Sequence, residues 1–325
     1  MKVDEKIQAL NSRRDFIKTT GVLGSILPFA PQFILSGSTE GDRSDEIQVN
    51  VFSKHLQFLD YGPMGAKAAE LGFDGVDLTV RPGGHVLPEN VERDLPKAVS
   101  AIKNAGLKWN TMVTRISNPL EPDTEKILKT AADEGVEYYR TGYYSYREGK
   151  PVPEDIMHFQ NVTYQLGELN RELGIIGCYQ NHAGRRMGAS IWELWDLMKE
   201  SDRDYFGAQY DIRHAVVEGG LSWQSGLQLI HPRIQTIVIK DFVWGQKQGE
   251  WEPVNVPFGE GMVDFKKYFG ILKNLNINVP VSMHFEYPLG GAEHGGNELS
   301  PENQERVFAA MKRDLDNLRK TWKEA

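Results

Sequence analysis

The chain carries one cysteine, Cys178, among 325 residues. A single thiol excludes an internal disulfide framework and a cysteine-based zinc cluster. Cys178 lies in an apolar strand-like run, where a buried, inert thiol is expected rather than a nucleophile. Positive charge is in short supply too: 37 Lys and Arg against 45 Asp and Glu leave a net charge of −8. Phosphate backbones are bound by basic faces, so this balance argues against nucleic acid as a partner. Beyond the N-terminal region no apolar run approaches the roughly 20 residues that span a bilayer. No Gly-x-Gly-x-x-Gly follows the first strand-like run, which disfavours a dinucleotide-binding sheet. What is present, 40% hydrophobic and 25% charged residues, suffices for one large core.

The N-terminus is a separate object. Ser12-Arg13-Arg14-Asp15-Phe16-Ile17-Lys18 precedes a modest apolar stretch from Thr19 to Phe29. The pattern resembles a twin-arginine export signal, and a chance arginine pair on a polar arm is the alternative. The stretch is too short and too interrupted by Gly and Pro to span a membrane stably. No cysteine follows it closely enough for a lipoprotein anchor. The resemblance implies a signal at residues 1–36, a polar linker at 37–46 and a folded domain at 47–325. It also implies a periplasmic location and the twin-arginine translocase as a partner during export.

From residue 47 onward the pattern alternates. Strand-like runs are expected at 47–52, 75–79, 107–113, 136–141, 175–181, 206–210, 234–240 and 279–285. Helix-like stretches separate them, several ending in a glycine that signals a C-cap, as at Leu71-Gly72-Phe73. Strict alternation implies parallel strands with crossover helices, and this number of units fits a closed (β/α)₈ TIM barrel. In such barrels the chemistry sits at the C-terminal ends of the strands.

Polar groups gather at those ends. His284 and Glu286 lie two residues apart after the last strand and so share a face. Gln180 and His182 do the same at the fifth strand. Asp211-Ile212-Arg213-His214 closes the sixth, where Asp211 reads as a hard oxygen ligand, with a helix cap beside a surface His as the alternative. His214 can move a proton or bond a hydroxyl. Lys240 ends the seventh and can neutralise a developing enolate or act as a base; Asp241 beside it is a salt-bridge candidate. On the early strands Asp77, Thr79 and Arg81 share a face, followed by His85. Arg115 and Arg140, at the ends of strands three and four, are candidates for anionic or enediolate oxygens, or for bracing the rim. Trp244 and Trp251 fall in what reads as a long loop, where an aromatic wall for a sugar ring and ordinary packing are both open.

These motifs together resemble the sugar phosphate isomerase/epimerase superfamily with its xylose isomerase-like TIM barrel, across the domain from about Ile47 onward. The resemblance implies a divalent metal held by two Glu, an Asp and a His, with the two Glu shuttling a proton across an enediolate. This chain departs from that pattern. Gln180 stands where the first Glu is expected, Val238 where a His is expected, and His284 nearest the second Glu, with Glu286 one inward step later. The implied metal set is therefore Gln180, Asp211, His284 and Glu286, for Mn, Mg, Co or Zn. An amide does not ionise, so Gln180 cannot be a general base.

The resulting expectation is an exported isomerase or epimerase acting on a small-molecule carbohydrate. Glu286, Lys240, His182 and His214 are its catalytic residues, and Arg81, His85, Arg115, Arg140 and Trp244 its substrate contacts. A homo-oligomer is allowed. The chemical alternative is a lyase or hydratase that cleaves 3-keto-glycosides by elimination, which needs only one good base. A sugar-binding protein with a decayed site is a third reading, disfavoured by the number of titratable groups.

Overall fold

The computed structural model describes residues 46–325. The twin-arginine segment and almost all of the linker lie outside the described residues. Eight parallel strands close into a barrel: β1 (Val49–Phe52), β2 (Gly75–Thr79), β3 (Lys108–Val113), β4 (Tyr138–Arg140), β5 (Ile176–Gln180), β6 (Phe206–Asp211), β7 (Ile234–Ile239) and, after a hairpin, β10 (Val281–Met283). Their order around the barrel is β1-β10-β7-β6-β5-β4-β3-β2. Each of these eight barrel strands matches a run anticipated from sequence to within three residues at each end.

Helices cover the outside because each buries one stripe. Val91–Asn104 buries Val91, Leu95, Ala98, Val99 and Ile102, the three-to-four spacing of an amphipathic helix. The last helix, Pro301–Glu324, starts with Pro at its first turn and a Ser300 hydroxyl accepting the Asn303 N–H. It buries Val307, Met311, Leu315, Leu318 and Trp322 against the barrel. Among the described residues no helix is long and apolar enough to cross a membrane.

The barrel interior is polar in part. The Ser282 hydroxyl of β10 donates to the Asp77 carboxylate of β2 at 2.6 Å although β1 lies between these strands, so both side chains cross the lumen. Cys178 is fully buried, and burial pushes its thiol up to about 12. It is a packing residue, as its strand position implies.

Two features differ from the sequence reading. Residues 241–256, expected as a loop, form an antiparallel hairpin, β8 (Asp241–Lys247) and β9 (Glu250–Val256), paired Lys247 to Glu250. Its turn residues Gln248 and Gly249 both have positive φ, 54° and 87°, the tight two-residue turn whose twist matches paired strands. Gln at the first of these positions hides the turn from a search for Asn-Gly or Asp-Gly. Asp211 also begins a helix, Ile212–Gly219, with its Oδ1 accepting the His214 N–H at 3.1 Å. The cap reading and the site reading of Asp211 thus both hold geometrically, one carboxylate oxygen for each.

Candidate active site

The strand ends surround a cavity of about 560 Å³, lined by residues from the ends of β1, β2, β3, β4, β5, β7 and β10. That size suits a small-molecule ligand. At its centre the Lys240 ammonium lies 3.2 Å from Asp211 Oδ2 and 3.0 Å from Glu286 Oε2. The Lys240 side chain is 4% exposed. Burial alone would lower its pKa, but the carboxylates of Asp211 and Glu286 outweigh burial and raise it. The amine is therefore a fixed cation.

Glu286 holds a second ammonium: Lys54 Nζ donates to its Oε1 at 2.9 Å. Burial would raise the Glu286 pKa, yet Lys240, His284 and Lys54 hold it well below the usual carboxylate range. Lys54 follows β1 in Ser53-Lys54-His55, a stretch with no ligand-like spacing, and sequence reasoning missed it. His55 was missed as well. Its Nδ1 donates to Ala292 O at 3.1 Å, which leaves Nε2 to accept the Phe285 N–H at 3.0 Å. That bond fixes the backbone between His284 and Glu286.

On the β4–β5 side Gln180 is spanned by partners. Its Oε1 accepts from Tyr143 Oη at 2.5 Å and Arg140 Nη1 at 3.1 Å, and its Nε2 donates to Asp211 Oδ2 at 2.8 Å. Guanidinium can only donate and carboxylate can only accept, so this sets the amide orientation. Asn181 fixes Asp211 from behind, exchanging two bonds with its backbone at 2.8 and 2.9 Å.

His182 faces the cavity. Its Nδ1 donates to the Ala183 carbonyl at 3.0 Å, so Nε2 carries the free lone pair. Burial, then Lys240, lowers its pKa to about 4, which keeps it neutral at pH 7. The His214 ring lies against it, tilted by 34°, ring centroids 4.0 Å apart. Arg213 Nη1 donates to His214 Nδ1 at 3.0 Å, which turns the Nε2–H toward Asp211 Oδ2, 3.6 Å away. His214 therefore reaches the cavity through His182 and Asp211. His284 is stacked on Phe52 at 4.3 Å, and burial lowers it to about 3.

The remaining expected residues divide. Arg81, Arg115 and Arg140 line the cavity, joined by Tyr143 and Arg186, which had not been singled out. Arg186 sits in Gly184-Arg185-Arg186, shortly after the strand-five motif, and its place at a barrel mouth was the available signal. His85 lies behind β2, its N–H bonded to Thr79 Oγ1 at 2.9 Å, outside the cavity lining. Trp244 is 43% exposed on the hairpin and also outside it. Asp241, rather than pairing with Lys240, accepts the backbone N–H groups of Phe242, Gly259, Gly261 and Val263 at 2.8 to 3.2 Å. His294, in the glycine-rich segment after β10, points to solvent.

The description of one family, the xylose isomerase-like TIM barrel, matches residues 66–307. The chain belongs to that family. Solved structures of the same fold include a 3-keto-D-glucoside 4-epimerase from E. coli, 15% identical over 82% of this chain and 99% of that one, TM-score 0.61. A probable 3-DHS dehydratase from Bacillus anthracis is 15% identical over 82% and 98%, TM-score 0.60. A xylose isomerase-like TIM barrel protein from Mycobacterium smegmatis in complex with magnesium is 15% identical over 83% and 98%, TM-score 0.58. At such identities the likeness shows the fold alone. No curated protein matches the chain.

Within this xylose isomerase-like barrel the metal set expected from sequence converges but does not fit a divalent ion. The Lys240 ammonium stands between Asp211 and Glu286, and the other Glu286 oxygen is held by Lys54. Gln180 presents an N–H, not an oxygen, to Asp211. A dication bonded at roughly 2.0–2.6 Å to these oxygens would have to displace a buried cation. Among the described residues no three His, Cys, Asp or Glu side chains form a metal-holding group. The reason is physical: a lysine ε-amine reaches the place where the carboxylates converge.

Proposed function

We propose that this protein is a sugar isomerase or epimerase that moves a proton at a carbon next to a carbonyl through an enediolate, with the Lys240 ammonium as its fixed electrophile. The observation that carries this reading is the buried Lys240 cation, within 3.2 Å of two carboxylates and in the same cavity as a neutral imidazole with a free nitrogen. A substrate carbonyl oxygen facing Lys240 gains charge as the enediolate forms, and a preorganised buried cation stabilises that charge at no reorganisation cost. His182 Nε2 takes the proton and returns it. Glu286 holds Lys240 and Lys54 in place on the β10 side, distant around the barrel from the β5 end that carries His182. A proton taken on one face and returned on the other gives epimerisation; returned to the neighbouring carbon, isomerisation.

One observation favours the elimination reading as well. Gln180 cannot ionise, and two lysines quench the basicity of Glu286, which leaves His182 as the one good base. A lyase needs no more: proton loss beside the keto group, then expulsion of the glycosidic oxygen.

Proton NMR in D₂O separates the two readings. Deuterium entering an intact, rearranged ketohexose supports isomerase or epimerase chemistry. Release of the aglycone from a 3-keto-glucoside supports the lyase, and neither event in either substrate overturns the proton-transfer reading. Export to the periplasm is part of the proposal, supported by Ser12–Lys18; recovery of the protein only from the cytoplasmic fraction would contradict it.

A further inference from the structure

The cavity has two electrostatic poles. Lys240, Glu286 and Lys54 follow β7, β10 and β1, and Asp211 ends β6. This half is nearly balanced, two ammoniums against two carboxylates. The opposite half, following β2 to β5, presents Arg81, Arg115, Arg140 and Arg186 to the same cavity. Among the described residues none of these four arginines has a salt-bridge partner. The chain as a whole carries −8, so unpaired cations concentrated at one wall of its main cavity are not an echo of overall composition.

The fold holds these like charges together. The Tyr143 ring is near two guanidiniums, Arg186 at 4.5 Å and Arg140 at 5.0 Å from its centroid. Arg81 rests over Phe52 at 5.6 Å. Gly142 lets the loops after β3 and β4 touch: its N–H donates to Ile116 O at 2.6 Å, and a Cβ there would meet Arg115 O at 2.5 Å. Arg115 is thereby fixed beside the Arg140 strand end. Burial, then Arg140 and Arg115, pulls the Arg81 pKa down to about 10. Buried Nε of Arg140 has no hydrogen-bond partner, and Ser117 and Ser145 add hydroxyls along the same wall. Crowded guanidiniums lacking a carboxylate of their own, with Arg81 and Arg140 partly desolvated, form a site that awaits an anion.

We infer that the substrate carries an anionic group, a carboxylate or a phosphate ester, which the Arg81–Arg115–Arg140–Arg186 wall binds while the carbonyl end faces Lys240. This rests on the reading of the cavity as a sugar site and narrows it to acidic sugars. Guanidinium forks match both oxyanions bidentately, so the wall reads the shared chemistry.

The test is isothermal titration of the full chain at constant ionic strength with D-gluconate, inorganic phosphate and D-glucose. At least one anion is expected to bind saturably and tenfold or more tighter than glucose; gluconate alone identifies a carboxylate, phosphate alone a phosphate ester. The exposed pair Arg115→Gln/Arg186→Gln should weaken anion binding by roughly tenfold or more, since hydrogen bonds to charged groups are worth that much, with glucose unaffected. Circular dichroism checks that the variant is folded, and Arg115→Lys/Arg186→Lys should recover part of the affinity. No saturable heat with either anion, or neither anion binding more tightly than glucose, would overturn the inference. Anion binding without deuterium exchange into any sugar would sink the proton-transfer proposal alone. Exchange into a neutral ketose without anion binding would sink this inference alone.

Discussion

Replacing Lys240 by methionine keeps an unbranched side chain one atom shorter and removes the charge. Asp211 would retain the amide of Gln180 at 2.8 Å and the His214 N–H at 3.1 Å, and Glu286 would retain Lys54 at 2.9 Å. Both would lose the buried ammonium at 3.2 and 3.0 Å. Breaking a buried ion pair from one side costs about 3–5 kcal/mol. Lys54 remains to compensate Glu286, so the lower end, about 3 kcal/mol, is expected at pH 7.5. The sign with pH follows from the shifts. In the parent, Glu286 is depressed, so its stabilising contribution is present above the ordinary carboxylate value of 4.5 and is lost as pH falls through the lower folded value. In Lys240→Met the dominant remaining influence is burial, which raises both carboxylates. The variant then gains stability as pH falls through those raised values. Urea unfolding of parent and variant should show a gap of about 3 kcal/mol at pH 7.5 that narrows toward pH 5. A variant as stable as the parent at pH 7.5, or a gap that widens on acidification, would refute the account of Lys240 as the charge that holds Asp211 and Glu286 together.

Other substitutions probe single links. His182→Gln should slow deuterium exchange roughly 10²–10⁴-fold with little change in urea midpoint; the parent rate should stay level from neutral pH and fall only near the His182 value of about 4, read from a pH–rate profile. Gln180→Glu sets a second carboxylate against Asp211 where an amide now donates at 2.8 Å. Two carboxylates that close cannot both ionise, so urea unfolding should show about 1–3 kcal/mol lost at pH 8, recovered as pH falls and one of them takes a proton. Asp241→Asn turns an amide toward four backbone donors and should cost about 2 kcal/mol in urea unfolding, leaving the anion affinity of the cavity unchanged.

The barrel was legible because each strand is a short apolar run bounded by polar helices, and because strict alternation admits few topologies. The polar strand ends were legible for the same reason: residues two apart on a strand share a face, which places Gln180 with His182 and His284 with Glu286. Three things were not. The hairpin of β8 and β9 has a Gln-Gly turn, and its alternation is blurred by Trp251 and Val254 on an exposed ribbon. Lys54 lies on a short 3-10 turn after β1 and Arg186 in the segment after β5, where side-chain direction depends on the folded path and not on spacing. The third concerns the metal. Residue types at Gln180, Asp211, His284 and Glu286 suggest ligands, but only the folded reach of Lys240 shows that the carboxylates already share a cation.

The most direct test of the central claim is deuterium wash-in at the carbon next to the sugar carbonyl, measured by NMR on the full chain after exhaustive chelation with EDTA. The account predicts that exchange persists in the chelated parent and drops by roughly 10²–10³-fold in Lys240→Met, the cost of losing one preorganised charge-stabilising group. Exchange that vanishes on chelation and returns with added Mn²⁺ or Mg²⁺, or that survives intact in Lys240→Met, would contradict it.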